Sequence, residues 1–215
     1  MKSYIVIGMG RFGQSVAKSL YDLGNEVLAI DISEEQINAV SDNVTYAVVG
    51  NAQNLETLKS VGARDCDTGI VALGTDLAAS IVITMNLKEL GVRQVICKAQ
   101  NEQYKLALEK VGADRVVIPE KVMAEKLAVS LSSSNVLDYI SLSPDYSMTE
   151  LTVPKSWVGR SIVELDIRAK HSVVLLAIKR GSEMIVSPDP NIPFSSNDIV
   201  LALGKNDALE KIRKI

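Results

Sequence analysis

The stretch that decides the fold reads Ile5-Val6-Ile7-Gly8-Met9-Gly10-Arg11-Phe12-Gly13. An apolar run typical of a buried strand leads directly into a G-x-G-x-x-G turn, and a helix-like segment follows it. Gly8 permits a tight turn, Gly10 lets the backbone approach a phosphate, and Gly13 allows the helix to pack against the sheet. The free N–H groups and the dipole at the start of that helix favour an anion. The stretch therefore predicts a strand, a phosphate-binding turn and a helix.

Asp31 ends the second predicted strand, at about the 20-residue distance from the turn expected of a carboxylate that binds ribose hydroxyls. Ile32 follows it where an arginine would meet a 2′-phosphate, which argues against NADP. Arg11 projects from the turn, where its guanidinium can meet a further phosphate or remain solvated. This pattern predicts an adenine-nucleotide site but leaves NAD(H), ATP, ADP and AMP open, because all contain adenosine and its first phosphates.

Short apolar runs alternate with amphipathic segments as far as Pro119, which is typical of a parallel sheet covered by helices. The predicted strands lie at residues 4–7, 27–30, 46–49, 70–73, 95–97 and 116–118. Strands buried on both faces need not alternate apolar with polar residues. The pattern predicts an α/β fold with a Rossmann-like, doubly wound parallel sheet.

A serine cluster at 132–134 follows a helix-like segment at 120–131, and the composition changes after it. Strands are predicted at 137–142, 148–153, 173–178, 184–186 and 199–203, and short helices at 162–166 and 207–212. We therefore predict a nucleotide-binding domain over residues 1–132 and a small α+β domain over residues 135–215.

Composition excludes several classes of function. A net charge of −3 and a pI near 5.3 offer no positive surface for nucleic acid. The apolar stretch at 69–87 is interrupted by Gly74-Thr75-Asp76, so it predicts a strand and a helix rather than a membrane span.

The first residues lack a signal-peptide pattern, which predicts a cytosolic protein. Cys66 and Cys97 form no C-x-x-C pair and are predicted to be reduced and structural.

No catalytic constellation accompanies the nucleotide motif. The single histidine, His171, lies in the second predicted domain, and the sequence has no Tyr-x-x-x-Lys pair, no G-x-S-x-G elbow and no cluster of metal ligands. A nucleotide site without an evident reaction predicts a sensor rather than an enzyme. The alternative is a small NAD-dependent oxidoreductase, because dehydrogenases use the same glycine turn and carboxylate.

Four segments, at residues 5–13, 27–31, 98–101 and 112–120, resemble those of Trk/Ktr potassium-uptake regulatory subunits. The resemblance extends over essentially the whole chain, through an N-terminal and a C-terminal RCK domain, and the Arg-Phe-Gly end of the turn is most similar to Ktr-type members. It implies an octameric gating ring on the inner face of the cell membrane. It also implies that ATP favours, and ADP disfavours, ion flux through a separate potassium-translocating subunit, whereas Trk-type members use NADH.

The resemblance also implies which residues bind the nucleotide. Together with the motif glycine Gly13, they are Gly8, Gly10, Arg11, Phe12, Asp31, Asn51, Ala52, Lys98 and Glu120. A carboxylate at Glu120 would repel a triphosphate unless Mg²⁺ or Ca²⁺ lay between them, so this residue is also a candidate metal ligand. The alternative is an ordinary acid at a helix start.

Some members of this family bind cyclic di-AMP between two C-terminal domains. Residues 162–168 and 174–176 resemble that site, in which Arg168 would meet phosphate, and the adenines would contact Ile162, Ile167 and Pro188. Val174 stands where an asparagine is usual, so one hydrogen bond is missing. The alternative is a surface pair of Asp166 and Arg168 at a helix end.

Apolar surfaces at 78–90 and 122–131 are predicted to be covered by another subunit.

Overall fold

The structure, a computed structural model, describes residues 1–132 and 136–213. It divides the chain into two units, Met1–Glu120 and Lys121–Ile215. The predicted domain boundary after the serine cluster falls on residues that lie mostly outside the described ranges, so that boundary stays a prediction.

The first unit contains β1 (Ser3–Ile7), β2 (Glu26–Asp31), β3 (Tyr46–Val49), β4 (Thr68–Gly74), β5 (Gln94–Ala99) and β6 (Arg115–Val117). Its helices are α1 (Arg11–Asp22), α2 (Glu34–Asn38), α3 (Leu55–Ser60), α4 (Leu77–Glu89) and α5 (Glu102–Lys110), with 3₁₀ helices at Ser41–Asn43 and Ala63–Asp65. All strands pair in parallel in the order β3-β2-β1-β4-β5-β6. This order confirms the predicted doubly wound sheet, whose ligand crevice lies at the carboxyl ends of the central strands β1 and β4.

Two apolar cores lie on opposite faces of this sheet. Ile5 and Ile7 point into one core, whereas Val6 between them points into the other, because successive side chains of a strand alternate between its faces. The first core also receives Leu87 of α4, and the second receives Ala17 of α1. Burial on both faces explains why the sequence of β1 is continuously apolar.

The apolar stretch at 69–87 forms most of β4 and α4, as predicted. The Asp76 side chain accepts a hydrogen bond from the backbone N–H of Ala79 at 2.9 Å and so begins α4. Among the described residues, no helix is both long and apolar enough to span a bilayer. Both cysteines are free; burial, followed by the nearby charge of Asp65, raises the pKa of the Cys66 thiol to about 11.

Helix α6 (Pro119–Ser132) begins at the end of the first unit. The second unit then contains β7 (Val136–Ser141), β8 (Tyr146–Thr152), α7 (Ile162–Leu165), α8 (Ile167–His171), β9 (Val173–Arg180), β10 (Glu183–Val186), β11 (Ile199–Lys205) and α9 (Asn206–Arg213). Its five-stranded sheet is antiparallel, in the order β10-β9-β11-β8-β7. This confirms the predicted α+β architecture. Its core includes Leu151, Trp157, Ile167, Phe194, Val200 and Leu209.

Helix α8 was not predicted from the sequence. The predicted helix at 162–166 ends as α7 at Leu165, because Asp166 adopts a left-handed conformation with φ 47° and ψ 49°. A new helix then starts at Ile167. Aspartate tolerates this conformation better than most side chains, so the break needs no glycine to signal it.

Candidate functional site

The glycine turn forms the centre of the candidate nucleotide site. Gly8 follows β1 with φ +93°, and its N–H donates to the carbonyl oxygen of Ile30 at 2.9 Å. A Cβ atom at Gly13 would lie 1.9 Å from the carbonyl oxygen of Gly8, so the turn and α1 approach too closely for any side chain. A Cβ atom at Gly10 would have no protein atom within 4 Å. The fold itself therefore requires Gly8 and Gly13, whereas Gly10 leaves open space at the start of α1.

Asp31 ties the glycine turn to the second strand. Its Oδ2 accepts a hydrogen bond from the N–H of Met9 at 2.5 Å, and its Oδ1 accepts one from the N–H of Ser33 at 2.8 Å. Each carboxylate oxygen retains a further lone pair for a ligand hydroxyl. Asp31 thus orients the turn and the start of α2 while still presenting acceptors at the sheet edge.

A cavity of about 230 Å³ opens beside this carboxylate at the carboxyl ends of the strands. Four of the predicted residues line it, namely Gly8, Asp31, Asn51 and Ala52. The sequence interpretation missed the other ten lining residues, among them Gly50, Gln53, Thr75 and Asp76. Thr75 and Asp76 directly follow β4, and a strand end at this edge of the sheet was the signal that could have identified them.

A second opening, a cleft of about 470 Å³, is lined by Gly10, Arg11, Phe12, Lys98 and Glu120 together with Ala72 and Leu73. Leu73 also lines the first cavity, so the two spaces adjoin. The predicted residues therefore form two neighbouring groups along one sheet edge. Gly13 lines neither space.

Lys98 is the central charge of this cleft. Its Nζ lies 2.7 Å from Oε1 of Glu120 and 5.6 Å from the ring centroid of Phe12. The hydrogen bond from Lys98, aided by the positive charges of Lys98 and Arg11, lowers the pKa of the Glu120 carboxyl below its usual value. Glu120 is therefore ionised at neutral pH, as a metal ligand must be.

The described residues contain no group of three or more His, Cys, Asp and Glu side chains placed to hold a metal ion. A cation at Glu120 would have to take its other ligands from elsewhere, such as the phosphates of a nucleotide. The predicted metal role of Glu120 stays a prediction.

A third pocket, of about 310 Å³, lies in the second unit. All four residues predicted to contact cyclic di-AMP line it: Ile162, Ile167, Arg168 and Pro188. Val174 lines it as well. Within the described part of the chain, no ion pair joins Asp166 to Arg168. The structure therefore lacks the surface pair that the alternative interpretation predicted.

Three residues that flank this pocket have strained backbones. Asp166, Ser172 and Ser187 have φ values of 47°, 55° and 51°, and they are the non-glycine residues with positive φ in the described part of the chain. Such conformations cost about 1–3 kcal/mol each and cluster at ligand sites. Nothing in the sequence signalled Ser172 or Ser187.

Comparison with known proteins gives consistent matches. The TrkA-N domain family model matches residues 4–119, and the TrkA-C domain model matches residues 148–215. The chain is 41% identical to Ktr system potassium uptake protein C of Bacillus subtilis (strain 168), over 99% of this chain and 96% of that protein. It is 42% identical to Ktr system potassium uptake protein A of the same organism, over 98% of this chain and 95% of that protein.

Among solved structures, the GsuK channel bound to NAD matches 99% of this chain and 39% of that chain, with a TM-score of 0.68 and 14% identity. At that identity the match supports the fold alone.

Proposed function

The chain belongs to the family of Trk/Ktr potassium-uptake regulatory subunits, and from that premise we propose that it senses adenine nucleotides without transforming them. ATP would favour, and ADP disfavour, ion flux through a separate potassium-translocating membrane subunit. One observation carries this proposal: the cavity beside Asp31 continues at Leu73 into a cleft that holds two cations, Arg11 and Lys98.

In this proposal a nucleotide would extend through both spaces. The ribose hydroxyls would donate to Asp31, and the first phosphates would pass Gly10, where the fold leaves room for them. The terminal phosphate would then reach Arg11 and Lys98. Because ATP carries one phosphate more than ADP, the two nucleotides would differ at Lys98 and Glu120. Mg²⁺ or Ca²⁺ would offset the repulsion between that phosphate and Glu120. NAD(H) is the alternative ligand, because NAD-binding domains use the same glycine turn and a carboxylate in the place of Asp31.

The oxidoreductase alternative has less support. The single histidine, His171, packs with its ring centroid 5.7 Å from that of Trp157 in the second unit rather than lining the nucleotide cavity. Lys98, which lines the neighbouring cleft, forms an ion pair with Glu120. We therefore propose a regulatory role without catalysis.

We also propose that the chain acts as a homo-oligomer, an octameric ring in the cytoplasm against the inner face of the membrane. Helix α6 has no buried residue in the chain by itself, although it carries the apolar side chains of Val122, Met123, Leu127 and Leu131. Helix α4 exposes Val82 and Met85. Apolar surface of this kind usually marks a contact with another protein.

The second unit supports a further ligand, cyclic di-AMP. Its pocket combines a cation, Arg168, with apolar walls from Ile162, Ile167 and Pro188, which suits one phosphate and one adenine, so that two copies of the pocket would hold the whole ligand. The strained backbones at Asp166, Ser172 and Ser187 also favour a functional role for this pocket.

The test begins with calorimetric titration of nucleotide-free protein with ATP, ADP and NADH, with and without Mg²⁺ or Ca²⁺. We expect ATP and ADP to bind, and Asp31→Ala and the milder Asp31→Asn to weaken both. Asp42→Ala, which alters an exposed acid elsewhere, should bind like the wild type. The protein is then combined with its membrane subunit in vesicles. Ion flux that ATP and ADP leave unchanged would refute the proposal.

A further inference from the structure

The pocket of the second unit has two walls from separate parts of the chain. Ile162, Ile167 and Arg168 contribute one wall from α7 and α8. Pro188 and Pro190 contribute the other from residues 187–198, the loop between β10 and β11. The width of the pocket therefore depends on how this loop is held against α7 and β9.

Backbone bonds hold the loop at several points, one of them at Phe194, whose N–H donates to the carbonyl oxygen of Arg160 at 3.0 Å. Prolines have no N–H to donate, so Pro188 and Pro190 depend on their neighbours for position. The N–H of Ser187 donates to the carbonyl oxygen of Leu176 at 3.0 Å, and the N–H of Val163 donates to that of Pro190 at 3.0 Å. The second bond joins the two walls directly.

Arg180, at the end of β9, holds the far side of the loop. Its Nε and Nη2 donate to the two carboxylate oxygens of Asp198 at 2.9 and 2.7 Å, and Nη2 also donates to the carbonyl oxygen of Pro193 at 3.0 Å. The side chain of Asp198 is 1% exposed and also accepts from the N–H of Ser195 at 2.8 Å. One guanidinium thus joins the sheet to both the middle and the end of the loop.

We propose that Arg180 is a positioning residue for this pocket: without touching the ligand, it fixes the wall formed by Pro188 and Pro190. The inference rests on the proposed binding of cyclic di-AMP. A wall that is fixed before the ligand arrives spares binding the cost of ordering it. The planar fork of arginine bonds a carboxylate and a carbonyl at once, whereas the compact ammonium of lysine reproduces this only in part.

The test compares Arg180→Gln, Arg180→Lys and the control Lys179→Gln, which changes the neighbouring exposed residue. Calorimetry measures the affinities for cyclic di-AMP and for ATP, and hydrogen–deuterium exchange measures protection of the Val163 N–H. In Arg180→Gln we expect cyclic di-AMP affinity to fall about tenfold and the Val163 N–H to exchange faster, with ATP affinity unchanged. Arg180→Lys should recover part of both losses, and Lys179→Gln should match the wild type.

The outcomes separate the inference from the proposed function. If wild-type protein does not bind cyclic di-AMP, the assignment of this ligand and the positioning role both fail, whereas ATP binding in the same titration would leave the proposed sensing of ATP and ADP standing. If it binds, but Arg180→Gln binds equally well, the positioning role is refuted while the ligand assignment stands. Unchanged exchange at Val163 would also refute it. If Arg180→Gln does not fold, Asp198→Asn removes the same bidentate contact with a smaller change. We expect it to weaken cyclic di-AMP binding and to speed exchange at Val163 in the same way.

Discussion

An added methyl group would meet different surroundings at Gly10 and at Gly13. At Gly13 it would strike the carbonyl oxygen of Gly8, whereas at Gly10 it would enter open space with φ already at −67°, a value that any residue adopts. Of these two glycines, the fold therefore needs Gly13, whereas only a bound ligand would need Gly10. Two substitutions can separate these roles.

We expect Gly10→Ala to fold with an unfolding free energy within about 1 kcal/mol of the wild type. Its affinity for ATP should fall at least tenfold, because the methyl group would occupy the approach of the phosphates. Gly13→Ala should instead lose about 3 kcal/mol of stability, since the turn must move away from α1. Urea unfolding and calorimetry measure the two effects. Normal ATP binding by Gly10→Ala would contradict the proposed path of the phosphates.

At the scale of elements, α7 shows how a very short helix is held in place. Four residues cannot form a stable helix alone, because nucleation is too costly. A capping box supports it: the buried Ser161 side chain accepts from the N–H of Glu164 at 3.2 Å, and the Glu164 side chain accepts from the N–H of Ser161 at 2.8 Å. This cap also positions Ile162 at the pocket wall.

Ser161→Ala should lower the free energy of unfolding by about 1 kcal/mol, because it leaves the N–H of Glu164 without its acceptor. Glu164→Gln is the matched control and should cost less, since glutamine can complete the same box. Urea unfolding of the two variants checks this expectation. Equal stability of Ser161→Ala and the wild type would show that packing alone holds α7.

At the scale of the whole molecule, the proposed assembly depends on apolar surface. Met123, Leu127 and Leu131 recur every four residues along α6, so they form one stripe on the helix. The side chains of this stripe are exposed in the single chain. A second subunit that covers them would gain apolar burial.

We expect the wild type to form oligomers in light scattering at micromolar concentration, and Leu127→Glu to reduce their mass, because a charge would be buried in the contact. Leu23→Glu is the control: Leu23 is 77% exposed, compared with 59% for Leu127, but lies just after α1. A monomeric wild type, or equal masses for the two variants, would count against the contact at α6.

The sequence by itself determined the glycine turn, the six apolar runs that form the strands of the first sheet, and the position of Asp31 at the end of the second strand. These features depend on local chemistry: glycine at positive φ, strands buried on both faces, and a carboxylate that directly follows a strand. Lys98 and Glu120 came only from the family resemblance, since nothing in their spacing implies that they meet.

Only the tertiary structure decided which side chains share a space. Lys98 meets Glu120 and Phe12 because β5, the start of α6 and the glycine turn converge at one edge of the sheet. Arg180 meets Asp198 because β9 and β11 pair in an antiparallel register. Such contacts join residues far apart in sequence, so packing specifies them and no local pattern does.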